Sequence, residues 1–218
     1  MKPRAEQAAR IFRILNGIYP DKSPLLTFAD GFQLLIGVIL SAQTTDRQVN
    51  RVTPELFRRF PSAEELARAP AETVEEIIRP VGFFRSKTRN IIAASEALAR
   101  YHGGTVPGTM EELIVLPGVG RKSANVIRGH LYGLPAVIVD THFARVTRRL
   151  GLLGEDTADP AKIEREIREL VPPEDQTGFS MVINLHGRAV CGARKPLCAE
   201  CPVNRLCPSA GTFSSRNP

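Results

Sequence analysis

The sequence predicts an all-α protein of about ten helices. Apolar residues recur at helical spacing in most segments, and prolines and glycines separate these segments from one another. The most apolar stretch, residues 32–40, could be a strand by composition, but no partner strand is evident. We therefore expect this stretch to be a buried helix.

The composition allows one large domain or two small ones. Of the 218 residues 43% are hydrophobic, which is enough for a core, and the absence of tryptophan makes that core mainly aliphatic. Lys and Arg number 29 against 23 Asp and Glu, a formal charge of +6. This balance favours an acidic partner, most simply nucleic acid, although a generically basic protein would have the same charge.

The helices follow from apolar periodicity and from their breakers. Residues 3–18 have one apolar face, and Pro20 and Pro24 end that helix. Pro61 and Pro70 separate the next group. Further helices are predicted at residues 47–59, 62–68, 71–78, 88–101, 141–150, 160–170 and 175–190.

The most informative stretch is residues 116–146. Its Pro-Gly-Val-Gly sequence, residues 117–120, cannot lie inside a helix. Thr109 with Glu112 forms a capping box before it, and helical spacing resumes after it. The pattern predicts a helix, a tight glycine hairpin and a second helix. Such a turn exposes N–H groups at a helix start and suits a phosphate, although an ordinary turn has the same sequence features.

Two charged residues in this stretch have a structural and a chemical interpretation. Lys122 falls in the first turn of the second helix, where a cation is disfavoured, so it is either a solvated surface residue or an amine nucleophile. Asp140 follows the apolar residues 136–139 and would cap the helix after it. Alternatively, it is a carboxylate that acts together with the lysine.

The stretch resembles a known family. LPGVGRKSANVI is similar to the helix-hairpin-helix of DNA glycosylases of the endonuclease III type, and VDTHFARVTRRLGL resembles the segment that carries their catalytic aspartate. The resemblance implies that Lys122 and Asp140 are catalytic. It places DNA contacts of the hairpin at Gly118, Val119, Gly120 and Arg121. His142 either supports the segment of the aspartate or is a packed structural histidine.

Two further positions are implied by the resemblance. SAQTTD, residues 41–46, resembles the SAQxTD signature of the family, whose glutamine enters the DNA stack where the target base has left. Gln43 takes that role here. The residue after Gly82 corresponds to an apolar wedge that is often leucine, and this chain has Phe83 instead. That departure would change the contact with the opposite DNA strand. Alternatively, Phe83 is a core residue.

All four cysteines lie close together near the C-terminal end of the sequence. Cys191, Cys198, Cys201 and Cys207 have the spacing C-x6-C-x2-C-x5-C. Four thiolates can hold zinc or an iron–sulfur cluster, and neither the usual zinc pairs nor the ferredoxin spacings match. The spacing does match the [4Fe–4S] cluster of endonuclease III relatives, which implies a structural cluster.

The loop after the first cysteine carries two adjacent cations. Arg194 and Lys195 would make a good phosphate contact on this short tethered loop, although a solubilising loop would look the same.

The resemblance covers nearly the whole chain and implies two domains with a cleft between them. One is a helical barrel with the hairpin, residues 22–132, and the other is an iron–sulfur cluster domain, residues 1–21 plus 133–211. Residues 212–218 are expected to be a disordered tail. No apolar run is long enough to cross a membrane, and no signal peptide is recognisable, so a cytoplasmic, nucleoid-associated monomer is expected.

The implied activity is that of a bifunctional DNA glycosylase and AP lyase of base excision repair. Its partner would be double-stranded DNA containing damaged bases or abasic sites, with oxidised pyrimidines as substrates. A monofunctional mismatch glycosylase of the same fold is one alternative, but those relatives lack the lysine. A DNA-binding module with vestigial catalysis is the other.

Overall fold

The computed structural model describes residues 3–154 and 157–214. Within these ranges the regular structure is entirely helical, which confirms the all-α prediction. The α-helices are α1 (Pro3–Ile18), α2 (Gly31–Leu40), α3 (Asp46–Arg59), α4 (Ala63–Ala67), α5 (Ala71–Ile78), α6 (Phe84–Tyr101), α7 (Met110–Ile114), α8 (Arg121–Tyr132), α9 (Thr141–Arg149), α10 (Pro160–Leu170), α11 (Gln176–Ala189) and α12 (Ala210–Ser214). Four short 3₁₀ helices lie at Arg79–Val81, Pro173–Asp175, Cys198–Glu200 and Asn204–Leu206.

The chain divides into two compact units. The central unit is Pro24–Gly133, and the terminal unit combines Met1–Ser23 with Leu134–Pro218. Each unit has its own cluster of buried apolar side chains. In the described part of the chain, no helix has the length and apolar character needed to cross a lipid bilayer.

The central unit is built around α2. Residues 34–40 of this helix are all buried, and α2 packs against α3, α6 and α8. A helix that is apolar on every side belongs in the middle of a bundle, which explains why residues 32–40 show no amphipathic pattern. Asp30 caps the helix by accepting a hydrogen bond from the N–H of Gln33 at 2.8 Å. The prediction of a buried helix here is confirmed.

The terminal unit is built around α11. This helix packs against α1 on one side and α9 on another. Phe143 of α9 and Phe179 of α11 are both fully buried and meet edge to face, with ring centroids 6.1 Å apart. These contacts fix the position of α9 on the surface of α11.

Two differences from the sequence prediction concern helix ends. α6 begins at Phe84 rather than at residue 88, because Phe83 adopts a left-handed conformation and its carbonyl accepts the N–H of Lys87 at 3.1 Å. Residues 212–214, expected to belong to a disordered tail, lie in α12. The other residues of that tail, 215–218, lie outside the described residues.

Candidate functional site

The hairpin between α7 and α8 closes tightly on the core of the central unit. Gly118 has a φ of +81°, and a Cβ there would lie 2.9 Å from Cγ2 of Ile39 and 3.0 Å from Cβ of Asn90. Only glycine fits both the conformation and the space. The side chain of Val119 is buried, and its N–H donates to the carbonyl of Leu116 at 3.0 Å. The side chain of Val119 thus packs inside the unit, and its N–H is already hydrogen-bonded within the turn.

The start of α8 is open. Its N-cap is Gly120, which has no side chain to cap the helix, and the space where its Cβ would lie is empty to 4 Å. Arg121 and Lys122 follow in the first turn with exposed side chains. The opposite face of the helix buries Ala124 and Ile127. An anion can therefore approach the positive end of the helix dipole between two cationic side chains.

Asp140 has the capping role that the sequence predicted. It is the N-cap of α9, and its Oδ1 accepts the N–H of Phe143 at 2.7 Å. Its other oxygen, Oδ2, accepts a hydrogen bond from the side-chain amide of Asn184 on α11. The carboxylate is partly exposed, so one fixed acid group faces outward at the start of a helix. Asp140 belongs to the terminal unit and Lys122 to the central unit.

A polar stripe on α11 fixes the extended segment that leads to Asp140. The hydroxyl of Thr177 donates to the carbonyl of Ala136 at 3.4 Å, and the N–H of Ile138 donates to Oγ of Ser180 at 3.0 Å. Together with Asn184, these side chains lie on one face of the helix. Asn184 is not among the residues predicted from the sequence. The available signal was a run of small or polar residues at helical spacing in an otherwise apolar helix.

His142 is held by a neighbouring arginine. Its Nδ1 lies 3.1 Å from a guanidinium nitrogen of Arg145, and the same guanidinium donates to the carbonyls of Gly187 and Cys191 at 2.8 and 3.1 Å. These contacts join α9 to the end of α11. They favour the structural interpretation of His142.

The two residues implied as DNA-stack wedges share an unusual backbone. Among the described residues other than glycine, only Gln43 and Phe83 have a positive φ, +53° and +47° respectively. Both side chains are exposed, and Phe83 retains 70% of its accessible surface. Phe83 is therefore not a core residue, whereas its neighbour Phe84 is partly buried against the central core.

A buried lysine joins the loops that carry these two residues. Nζ of Lys87 donates to Oγ1 of Thr44 at 3.0 Å and to the carbonyl of Val81 at 2.9 Å. The Thr44 hydroxyl also donates to the Val81 carbonyl. Burial lowers the pKa of Lys87 from its ordinary value. The sequence predicts only that Lys87 lies near the start of a helix. Its partner Thr44 lies on another loop, and no local pattern indicates that contact.

The four cysteines line one pocket of the terminal unit, together with apolar side chains such as Leu150. Burial raises the pKa of the Cys201 and Cys207 thiols, and charge on the other cysteines raises it further. In the part of the chain that the structure describes, no group of three or more His, Cys, Asp or Glu side chains is arranged to hold a metal ion. The thiols thus share a pocket in which several thiolates would repel one another unless a cation were bound.

The loop after Cys191 is anchored by Arg149. Its guanidinium donates to the carbonyls of Gly192 and Ala193 at 2.7 and 2.8 Å and to Sγ of Cys191 at 3.3 Å. Arg194 and Lys195 follow with exposed side chains. A pinned backbone with two exposed cations can present positive charge at a fixed position.

Comparison with known proteins agrees over most of the chain. Residues 36–173 match the HhH-GPD superfamily of base excision DNA repair proteins. Endonuclease III of Synechocystis sp. is 47% identical over 211 residues, which cover 96% of this chain and 95% of the relative. A solved non-covalent endonuclease III–DNA complex is 35% identical, with a TM-score of 0.92 over 97% of this chain and 99% of the other.

A second solved structure, a trapped endonuclease III–DNA covalent intermediate in an estranged-adenine complex, is 36% identical. Its TM-score is 0.90, over 95% of this chain and 97% of the other. Sequence and fold therefore agree on one assignment. This chain belongs to the endonuclease III family of the HhH-GPD base excision DNA repair superfamily.

Proposed function

We propose that the protein is a bifunctional DNA glycosylase and AP lyase that removes oxidised pyrimidines from double-stranded DNA. The observation that carries the proposal is Lys122, an exposed amine in the first turn of the helix that follows the glycine hairpin. Support comes from relatives, because an endonuclease III of the same fold has been trapped as a covalent intermediate with DNA.

Lys122 is the nucleophile of the proposed reaction. Its neutral Nζ attacks C1′ of the damaged nucleotide, and the bond from C1′ to the base breaks, with its electron pair leaving on the base. The attached nitrogen then loses a proton, the bond from C1′ to the ring oxygen breaks, and that oxygen takes up a proton, which leaves a Schiff base between Nζ and C1′. Loss of a proton from C2′ expels the 3′ oxygen and nicks the strand, and water finally hydrolyses the Schiff base.

Asp140 is the acid–base partner. Its carboxylate accepts the proton that Lys122 must lose before it attacks, and its negative charge stabilises the positive charge that develops on the sugar. The hydrogen bonds from Phe143 and Asn184 fix the direction of both carboxylate oxygens. A fixed anion stabilises a cationic transition state better than a mobile one, because no reorganisation is needed during the reaction.

Reaction at a base requires the nucleotide to leave the DNA stack. Gln43 and Phe83 would fill the gap, since both side chains are exposed on loops of the central unit. Gly118, Val119, Gly120 and Arg121 would form the contact with the DNA backbone at the start of α8, with Val119 keeping the turn in shape because its own N–H donates to Leu116.

The second backbone contact would come from the terminal unit. Arg194 and Lys195 are exposed on the loop that Arg149 anchors, so their charges lie at a fixed position. Neither contact depends on the base sequence, which suits an enzyme that must search for damage.

The four cysteines would hold a [4Fe–4S] cluster. The donor set fits, because four thiols line one pocket and four thiolates can hold an iron–sulfur cluster. When bound, the cluster supplies a structural cross-link that fixes the loop of Arg194 and Lys195. A brown protein whose broad visible absorbance is lost on chelation would support this assignment, and a colourless protein with stoichiometric zinc would contradict it.

The two units take separate roles in this proposal. The central unit is the helix-hairpin-helix domain, and the terminal unit is the cluster domain. Chromosomal DNA as the substrate would place the protein at the nucleoid.

A panel of duplexes tests the proposed function. The duplexes carry an oxidised pyrimidine such as thymine glycol, a mismatched adenine, a mismatched thymine or an abasic site. We expect base release together with strand nicking on the oxidised pyrimidine, and nicking at the abasic site. Base release without nicking would instead favour a monofunctional mismatch glycosylase. Binding without either reaction would favour a DNA-binding module.

A further inference from the structure

The loops of Gln43 and Phe83 are tied together beneath the surface by three hydrogen bonds. Thr44 directly follows Gln43, and Val81 lies two residues before Phe83. Lys87 donates to the Thr44 hydroxyl at 3.0 Å and to the Val81 carbonyl at 2.9 Å, while the Thr44 hydroxyl donates to the same carbonyl. The Thr44 hydroxyl and the Val81 carbonyl thus belong to residues that lie within two positions of Gln43 and Phe83, whose side chains are exposed.

Lys87 is an unfavourable residue for stability at this position. Only 4% of its surface is accessible, and its two acceptors are neutral oxygens. It also lies in the first turn of α6, where the helix dipole disfavours a cation. An apolar side chain of similar volume would avoid the cost of desolvating the amine. The advantage of lysine here is the pair of directed hydrogen bonds between two loops.

The conformations of the two loops need such a tie. Gln43 and Phe83 both occupy the left-handed region, which is uncommon for residues other than glycine. Strained conformations of this kind persist only where the surrounding structure fixes them. Lys87 and Thr44 supply that constraint through their hydrogen bonds, and the bond from Lys87 to Val81 is buried, so water does not compete for it.

We infer that Lys87 is a positioning residue for base extrusion, which holds Gln43 and Phe83 in fixed relative positions as a two-part wedge. The inference rests on the proposed function, in which these two side chains fill the gap left by the extruded nucleotide. Lys87 touches neither the base nor the sugar in this scheme. Its effect is confined to the step in which a paired, stacked nucleotide leaves the duplex.

The test compares a duplex substrate with one that needs no extrusion. Lys87→Met keeps the length of the side chain but removes both hydrogen bonds, and Lys162→Met on the exposed face of α10 is the matched control. We expect Lys87→Met to slow excision of thymine glycol from a duplex about tenfold or more, as expected when hydrogen bonds that order a site are lost. Nicking of an abasic site in single-stranded DNA should stay within about twofold of the wild-type rate.

Two further measurements separate positioning from folding. A 2-aminopurine beside the lesion reports unstacking, and its fluorescence change on binding should be slower or smaller in Lys87→Met and partly restored in Lys87→Arg. Thr44→Val removes both hydrogen bonds of the Thr44 hydroxyl and leaves Lys87 in place. It should therefore slow excision from the duplex without slowing the nicking of single-stranded abasic DNA. This variant decides the question if Lys87→Met does not fold.

The outcomes are distinct. Equal losses on the duplex and single-stranded substrates, or no loss on either, would overturn the positioning role while the activity of the wild-type protein leaves the proposed function standing. A wild-type protein that neither releases the base nor nicks abasic DNA would overturn the proposed function, and this inference with it.

Discussion

The side-chain amide of Asn184 donates a hydrogen bond to the carboxylate of Asp140, across the packing of α11 on α9. The second carboxylate oxygen accepts the N–H of Phe143 at 2.7 Å. Both oxygens are therefore directed by the fold of the terminal unit. The same helix fixes the preceding segment through Ser180, so the position of the acid group is set by α11.

Removal of the Asn184 amide should weaken catalysis. A hydrogen bond to a charged acceptor contributes about 1.5–3 kcal/mol, which corresponds to roughly 10- to 150-fold in rate if the whole effect falls on the transition state. We expect Asn184→Leu to lower the single-turnover rate of base excision by at least the lower of these factors, with DNA binding retained. Asn184→Asp should be worse, because it places a second negative charge beside Asp140. Wild-type excision in Asn184→Leu would show that Asp140 needs no such orientation.

The two hairpin glycines should respond differently to alanine. Gly118→Ala places a Cβ 2.9 Å from Ile39 at a φ of +81°, so it should destabilise the protein by about 1–3 kcal/mol. Gly120→Ala adds a Cβ in open space, so it should destabilise the protein less than Gly118→Ala, by no more than about 1 kcal/mol, because alanine caps the start of α8 less well than glycine. Its DNA affinity should nevertheless fall, since the methyl group covers the start of α8. Equal melting temperatures for the two variants would contradict this account.

The pH dependence of stability should show the burial of Lys87. Burial lowers its pKa below the ordinary value of 10.5. Between the lowered pKa and 10.5 the unfolded chain binds a proton that the folded protein lacks, so this residue makes the free energy of unfolding rise with pH. Urea unfolding at a series of pH values should show the wild-type protein gaining stability relative to Lys87→Met across that alkaline range. A difference that stays flat or falls would mean that the amine is not desolvated.

The loop after Cys191 should act as a sequence-independent phosphate contact. Arg194→Ala with Lys195→Ala should lower affinity for all duplexes alike and reduce the slope of log affinity against log salt by roughly 1–2, since each phosphate contact contributes about 0.9. The matched control is Lys162→Ala with Arg165→Ala, which removes the same charge from the exposed face of α10. If the loop variant changed lesion preference at an unchanged slope, the loop would not be a phosphate contact.

The features that the sequence predicts are those whose interacting residues lie close together in the chain. The sequence predicts Thr109 and Asp140 as helix caps, and the structure confirms both. Such a prediction is possible because a cap and its N–H partner lie within three residues of each other. Lys87 and Asn184 were not recognised as positioning residues, since their partners Thr44 and Asp140 are 43 and 44 positions away. Their roles depend on which helices meet, and helical periodicity does not specify that.

The same distinction explains the left-handed wedges. The resemblance singles out Gln43 and Phe83 as side chains that enter the DNA stack. No local rule places a phenylalanine in the left-handed region, where its side chain is disfavoured. That conformation occurs together with hydrogen bonds between the two loops, whose partners are far apart in the sequence. It also explains why α6 begins four residues earlier than its apolar pattern indicates.

Borohydride trapping tests the central claim most directly. A Schiff base between an amine and C1′ is reduced by borohydride to a stable covalent adduct, whereas a protein that only binds DNA gives none. We expect the wild-type protein to be trapped on thymine glycol duplex, with the adduct mapping to Lys122 in peptide mass spectra. Lys122→Gln should lose trapping and nicking but keep most of its DNA affinity, because one cation among many phosphate contacts is a small loss. Undiminished trapping of Lys122→Gln, or a wild-type protein that binds the lesion and is never trapped, would contradict the account.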